Sequence, residues 1–342
     1  MAIFHTVVTE LFWGNLVVIY STLLGLGAGS FMLATLGPVF GIRQLKPIAK
    51  TAAVLALIFA MVGPIFIIAE MGRPERFITL FFRVNVTSPM SWGVYIGAFF
   101  TLMSAVYLYA LNTGKNDLIQ LAGKLGFLSA VAIEMYKGVL FGVIRQRPLW
   151  HSPTLPLVFL VSAITSSAAL IILVHGFVGP AHNCPKKADD EEEDDEAEVE
   201  EKEEKTVKES KEETKPKPTA KVVKAEPEDD YCPTKGEIIS LLGKILAIFL
   251  AFELILVFSD MIVLKFSGAE GQATAKLLTE GSMSTLYIGG QVVVGLLIPL
   301  AILVFIGGES VATYQLASLL VLIGVFAMKY VLIIGGQTIS LS

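Results

Sequence analysis

Apolar residues gather into eight long blocks, at about 13–40, 48–69, 90–111, 122–144, 153–179, 237–264, 284–307 and 311–335. A bilayer core of about 30 Å takes about 20 helical residues, and every block reaches that length. The alternating ten-residue strands of an outer-membrane barrel do not occur in the sequence. The pattern predicts an all-α integral membrane protein of about eight transmembrane helices, expected to divide into two four-helix bundles. The opening "MAIFHTVVTE" has no basic n-region and no small-residue cleavage site. The first block therefore reads as a retained helix, not a signal peptide.

Charge breaks the series between the fifth and sixth blocks. The chain has 342 residues, 54% of them hydrophobic, and residues 186–230 hold 20 of its 31 acidic and 10 of its 26 basic residues. This stretch cannot bury a core and is expected to be a disordered acidic loop, serving as a solvated linker or an interaction tail. The expected division is helices 1–5 over 1–185, linker over 186–230 and helices 6–8 over 231–342. Cys184 and Cys232 flank the linker as "NCP" and "YCP". They are either a disulfide clasp or two unrelated thiols. Two cysteines do not supply the four thiolates of an iron–sulfur cluster. Of four histidines only His175 falls inside a block, so neither such a cluster nor a bis-histidine haem is expected in this chain.

An even number of spans puts both termini on one face, here called near, together with the 2–3, 4–5 and 6–7 connections. Arg73, Arg76, Arg83, Arg145 and Arg147 lie on that face, while the linker lysines lie on the far one. Counting the linker weakly favours a cytoplasmic far face. Ionisable residues inside a bilayer are functional candidates by default. Glu134 and Lys137 are three apart and share a helical face, so they can pair. Tyr136 lies about 13 Å from the near end marked by Arg145, at 1.5 Å per residue. Asn15 and Tyr20 of the first block, Asp260 and Lys329 also fall in the near half, and Glu253 falls near the midplane. Asp260 and Lys329 either snorkel to the interface or serve a site. A midplane Glu253 needs a partner, a proton or a water path. "GLGAGS", residues 25–30, supplies small residues for close helix approach.

The near-face connections carry the most distinctive motifs. "MGRPERF" at 71–77 and "NVTSPMSWG" at 85–93 stand between the second and third blocks, and "YKGVLFGVIRQRPLWHSP" begins at Tyr136. Together with the small-residue run of the first span and the ending "MKYVLIIGGQ", these motifs resemble the NrfD/PsrC family of polysulfide-reductase-type membrane subunits. The resemblance covers nearly the whole chain outside the acidic linker. Three features depart from the family pattern: Lys137 where a threonine is usual, Tyr20 where some members have histidine, and the acidic insert.

The resemblance implies a quinone-reactive membrane anchor subunit of a multisubunit respiratory oxidoreductase. Such a subunit passes electrons between the quinone pool, menaquinone or ubiquinone, and a ferredoxin-like iron–sulfur partner. The partner in turn serves a catalytic subunit, often molybdopterin-dependent. Tyr136, with Asn15 and Tyr20, would line the quinone site. Glu134, Lys137 and Glu253 would move protons, with coupling to proton translocation an open extension. Arg73, Arg76, Trp92, Arg145, Arg147 and Trp150 would form the docking floor for the iron–sulfur subunit. The implied location is the cytoplasmic membrane, quinone-site face outward and acidic linker inside. The expected partners are these subunits and the lipid bilayer, with no nucleic acid. A secondary transporter or proton channel using the same buried charges, and a purely structural anchor, are the competing readings.

Overall fold

In a computed structural model, the structure describes residues 13–70, 89–144, 147–178, 233–306 and 310–338. The acidic block, both cysteines and the motif over 71–88 lie outside the described residues, as do Arg73, Arg76, Arg83 and Arg145. Eight described helices are long and apolar enough to span a membrane. They are α1 (Asn15–Leu36), α2 (Ala49–Glu70), α3 (Pro89–Thr113), α4 (Asn116–Gly142), α5 (Leu155–Val178), α6 (Lys235–Phe266), α8 (Thr285–Ile306) and α9 (Val311–Thr338). A ninth helix, α7 (Ala269–Thr279), is too short to cross. The described residues contain no strand.

Local signals set several ends. Thr234 and Glu237 form a reciprocal capping box at the start of α6, with Glu237 N donating to Thr234 Oγ1 at 3.3 Å and Thr234 N to Glu237 Oε2 at 3.2 Å. Ser310 Oγ accepts from Thr313 N at 3.3 Å to start α9. Gly268 takes φ +87° between α6 and α7, a conformation that side chains with a Cβ rarely adopt. Pro299 has no N–H to give the preceding turn. The run before it, Thr285–Leu297, is wound as a π-helix, and Val331–Gly335 of α9 is wound the same way.

The eight spans belong to one compact unit, within which two groups of four can be traced. α1 packs on α2 and α4, and α3 packs on α2 and α4. α5 packs on α6 and α9, and α8 packs on α9. The groups meet where α5 lies against α1 and α4. Small residues make that seam possible. A Cβ on Gly29 would stand 2.1 Å from the Ala163 carbonyl oxygen, so the α1 backbone rests directly on α5. α1, α5 and α9 are the most enclosed spans. The outer helices turn large apolar side chains outward, with Phe266 and Phe305 each 85% exposed. That is the surface a lipid-facing helix needs.

Candidate functional site

The site begins on α4. Glu134 and Lys137, three residues apart, face α1 with 0% and 3% exposure, and Lys137 Nζ stands 2.7 Å from Glu134 Oε1. The ammonium also donates to the Ser21 carbonyl at 3.2 Å. Oε1 of Glu134 is taken by that ammonium, while Oε2 has no hydrogen-bond partner among the described residues. This buried carboxylate is charge-balanced yet has lone pairs to spare. Gly25 of α1 keeps the space beside it open, since a Cβ there would lie 3.8 Å from both Glu134 Oε2 and Lys137 Nζ.

Tyr136 projects from the same turn toward α3. Its ring rests on Gly93, where an added Cβ would stand 2.6 Å from the phenolic oxygen, and it hydrogen-bonds the Gly93 backbone. Tyr20 of α1 lies within electrostatic reach of both Tyr136 and Glu134. The structure thus brings together four residues singled out in the sequence: Tyr20, Glu134, Tyr136 and Lys137. Asn15 does not share their setting, because it is exposed at the first turn of α1.

Glu253 lies in the second group of helices, 1% exposed on α6. The Thr165 hydroxyl hydrogen-bonds its carboxyl and Lys329 is its electrostatic partner, while Oε2 has no hydrogen-bond partner among the described residues. Lys329 does not snorkel. It is 1% exposed, donates to Ser162 Oγ at 2.9 Å and sits 3.9 Å from the centroid of the Phe159 ring. Lys137 Nζ lies 5.5 Å from the centroid of the same ring. Phe159 therefore stands against two ammonium groups, one from each bundle, and its π-face offers both a favourable electrostatic surface. Phe159, Ser162 and Thr165 are not among the residues singled out from the sequence. Their three-residue spacing in "FLVSAIT" is the signal that puts them on one face of α5.

The near face is tied together below the expected docking surface. Gln337 Oε1 accepts from Trp13 N at 2.8 Å, Gln337 Nε2 donates to Trp13 O at 2.9 Å, and Arg147 donates to Gln337 O at 2.8 Å. Gly14 N donates to Glu70 Oε1 at 2.6 Å. Trp150 belongs to this scaffold, not to the surface. It is 4% exposed, stacks on Trp13 with centroids 5.6 Å apart, and gives its N–H to the Leu332 carbonyl at 2.7 Å. A docking contact by Trp150 is therefore corrected to support from beneath: its aromatic body fills the core and its one donor is used. Trp92, 54% exposed at the start of α3, is on the surface as expected.

A separate chamber of about 70 Å³ lies among α5, α6, α7, α8 and α9, lined by His151, Ser152, Asp260, Ser267, Tyr287 and Gln291 and by apolar side chains. It shares no lining residue with the Tyr20–Tyr136 group.

The family model described as "Polysulphide reductase, NrfD" matches residues 5–187 and 231–340. The sequence is 29% identical over 209 residues to the C subunit of the selenate reductase of Mesobacillus selenatarsenatis, covering 49% of each protein. It is 24% identical over 354 residues to the C polypeptide of the polysulfide reductase of Wolinella succinogenes, covering 95% of this protein and 94% of that one. Protein NrfD of Escherichia coli is 27% identical over 196 residues, 48% of this protein and 59% of the relative. The match thus spans about half of the selenate reductase subunit and nearly all of the polysulfide reductase polypeptide. The family model matches on both sides of the acidic block and takes in the helices that carry the buried tyrosine–carboxylate group, so this chain belongs to the polysulphide reductase NrfD family of membrane subunits.

Proposed function

We propose that the chain is the quinone-reactive membrane anchor of a respiratory oxidoreductase complex, exchanging electrons with an iron–sulfur subunit docked on the near face. The observation that carries this reading is the buried Glu134 carboxylate, with Oε1 on the Lys137 ammonium and Oε2 without a hydrogen-bond partner among the described residues, beside Tyr20 and Tyr136. Quinone and quinol interconvert by two electrons and two protons. A pocket for that chemistry needs a hydrogen-bonding hydroxyl, a proton acceptor and an apolar wall.

The residues fit those needs. Tyr136 carries a hydroxyl that both donates and accepts, and its Gly93 contact fixes the ring. Tyr20 offers a second hydroxyl from the facing helix. Glu134 takes or gives a proton as a general acid–base, and Lys137 at 2.7 Å compensates its charge. The Phe159 ring and Lys329 extend this charge array to Glu253, giving the second bundle a carboxyl that answers electrostatically to the first. We assign proton relay to Glu253 on that basis.

Docking on the near face keeps the redox centres close to the tyrosines. Trp92 and Arg147, with Arg73, Arg76 and Arg145 outside the described residues, are the proposed contacts. The selenate and polysulfide reductase relatives point to a catalytic subunit beyond the iron–sulfur one. The proposed location is the cytoplasmic membrane, with this face outward. A photoreactive quinone added to the intact complex tests the site. Labelling of α1 and α4 peptides around Tyr20 and Tyr136 is expected, and labelling confined to α6, α8 and α9 contradicts the assignment.

A further inference from the structure

The Asp260 chamber takes no part in the quinone chemistry, yet its polar groups are arranged with a deficit. Ser152 Oγ donates to Asp260 Oδ1 at 2.8 Å, and Thr154 Oγ1 also donates to Oδ1. The two hydroxyl oxygens lie 2.7 Å from each other. Three oxygens therefore make three mutual contacts. A carboxylate and two hydroxyls contribute only two hydrogens. One contact is left without a hydrogen, which either a proton on Asp260 or a cation at the oxygen cluster would resolve.

Asp260 has no basic partner among the described residues. Gln291, 6% exposed and lining the chamber, has no hydrogen-bond partner for its side-chain amide among the described residues. Its amide faces the open space of the chamber and is available to a ligand there. Tyr287 brings a further oxygen, within electrostatic reach of Asp260. It and Gln291 come from the π-wound part of α8, and the π-wound Val331 and Leu332 of α9 close the opposite wall. π-turns gather at functional sites, where they shift side chains and carbonyls out of the regular ladder.

We propose that this chamber binds one small monovalent cation of the sodium class, held by Asp260, Ser152 and the Gln291 side-chain carbonyl. Hydroxyl, carbonyl and carboxylate oxygens are hard ligands, and broken or rewound membrane helices hold sodium or protons in this way. Charge sets the valence: among the described residues Asp260 is the only carboxylate lining the chamber, so one positive charge balances it. Size permits it, since about 70 Å³ leaves room for a small ion together with several waters. His151, exposed at the mouth, and Tyr287 are the other titratable side chains in the lining.

The test uses the full-length protein in lipid nanodiscs and radioactive sodium, with choline holding ionic strength constant. The wild type is expected to bind one sodium per polypeptide saturably. Asp260→Asn should lose that binding. Gln291→Leu, which keeps the carboxylate, should weaken it by about tenfold, the loss of one good ligand. Where Asp260→Asn does not fold, Gln291→Leu and Ser152→Ala decide by the same weakening. Absence of saturable sodium binding in the wild type overturns the proposal, as does binding that survives both the Asp260 and Gln291 changes. An infrared band of a protonated Asp260 carboxyl in sodium buffer also overturns it, by putting a proton where the cation was placed.

Discussion

The two bundles bury the same pair of charges by different means. In the first, Glu134 and Lys137 come from one helix, three residues apart, and touch at 2.7 Å. In the second, Glu253 and Lys329 come from α6 and α9, and the ammonium gives its hydrogen bond to Ser162 and lies over Phe159. The first pair exists as soon as α4 is helical. The second exists only once α5, α6 and α9 have packed. Each carboxylate keeps Oε2 without a hydrogen-bond partner among the described residues, but Glu134 stands beside two tyrosines, which suits a group that must exchange protons with a ligand.

The largest expected effect breaks the first pair. Lys137→Met leaves a buried carboxylate uncompensated and should cost about 3–5 kcal/mol, read as thermal unfolding of the purified protein, while Lys329→Met should cost less because Glu253 lies beyond ion-pair distance. The double changes sharpen the contrast. Glu134→Gln with Lys137→Met should recover most of the loss, because that pair is local. Glu253→Gln with Lys329→Met should recover less, because Ser162 and Phe159 lose their shared partner. Equal recovery in the two doubles would erase the distinction between the bundles.

A smaller effect tests the seam between them. Gly29→Ala puts a methyl 2.1 Å from the Ala163 carbonyl oxygen, against backbone that has no rotamer to change. The expected cost is about 1–3 kcal/mol in unfolding, and unchanged stability would show that α1 and α5 do not approach so closely. Smallest is Trp150→Phe, which keeps an aromatic body in the stack and removes the N–H given to Leu332 O. It should lower stability by about 1 kcal/mol and leave partner docking intact. Loss of the iron–sulfur subunit with normal stability would return Trp150 to the docking surface.

The same contrast explains what is legible in the sequence. Spans are visible because length and apolarity alone define them, and the Glu134–Lys137 pair because three-residue spacing fixes a helical face. Nothing local keeps Lys329 from the interface, because its partners Phe159 and Ser162 lie far away in the chain and join it only through packing. The π-turns of α8 and α9 leave no mark in apolar composition, and α7 goes unmarked because it is short and less apolar than the spans. Trp150 enters the expected docking floor through the family resemblance alone. Only the fold shows that the Leu332 carbonyl claims its N–H.

Tyr136→Phe in the intact complex tests the central claim most directly. The substitution keeps the ring against Gly93 and removes only the hydroxyl. Quinol-dependent electron transfer should fall by about 100-fold, while the iron–sulfur and catalytic subunits still co-purify with the anchor. Wild-type turnover in that variant would contradict a quinone site at Tyr136.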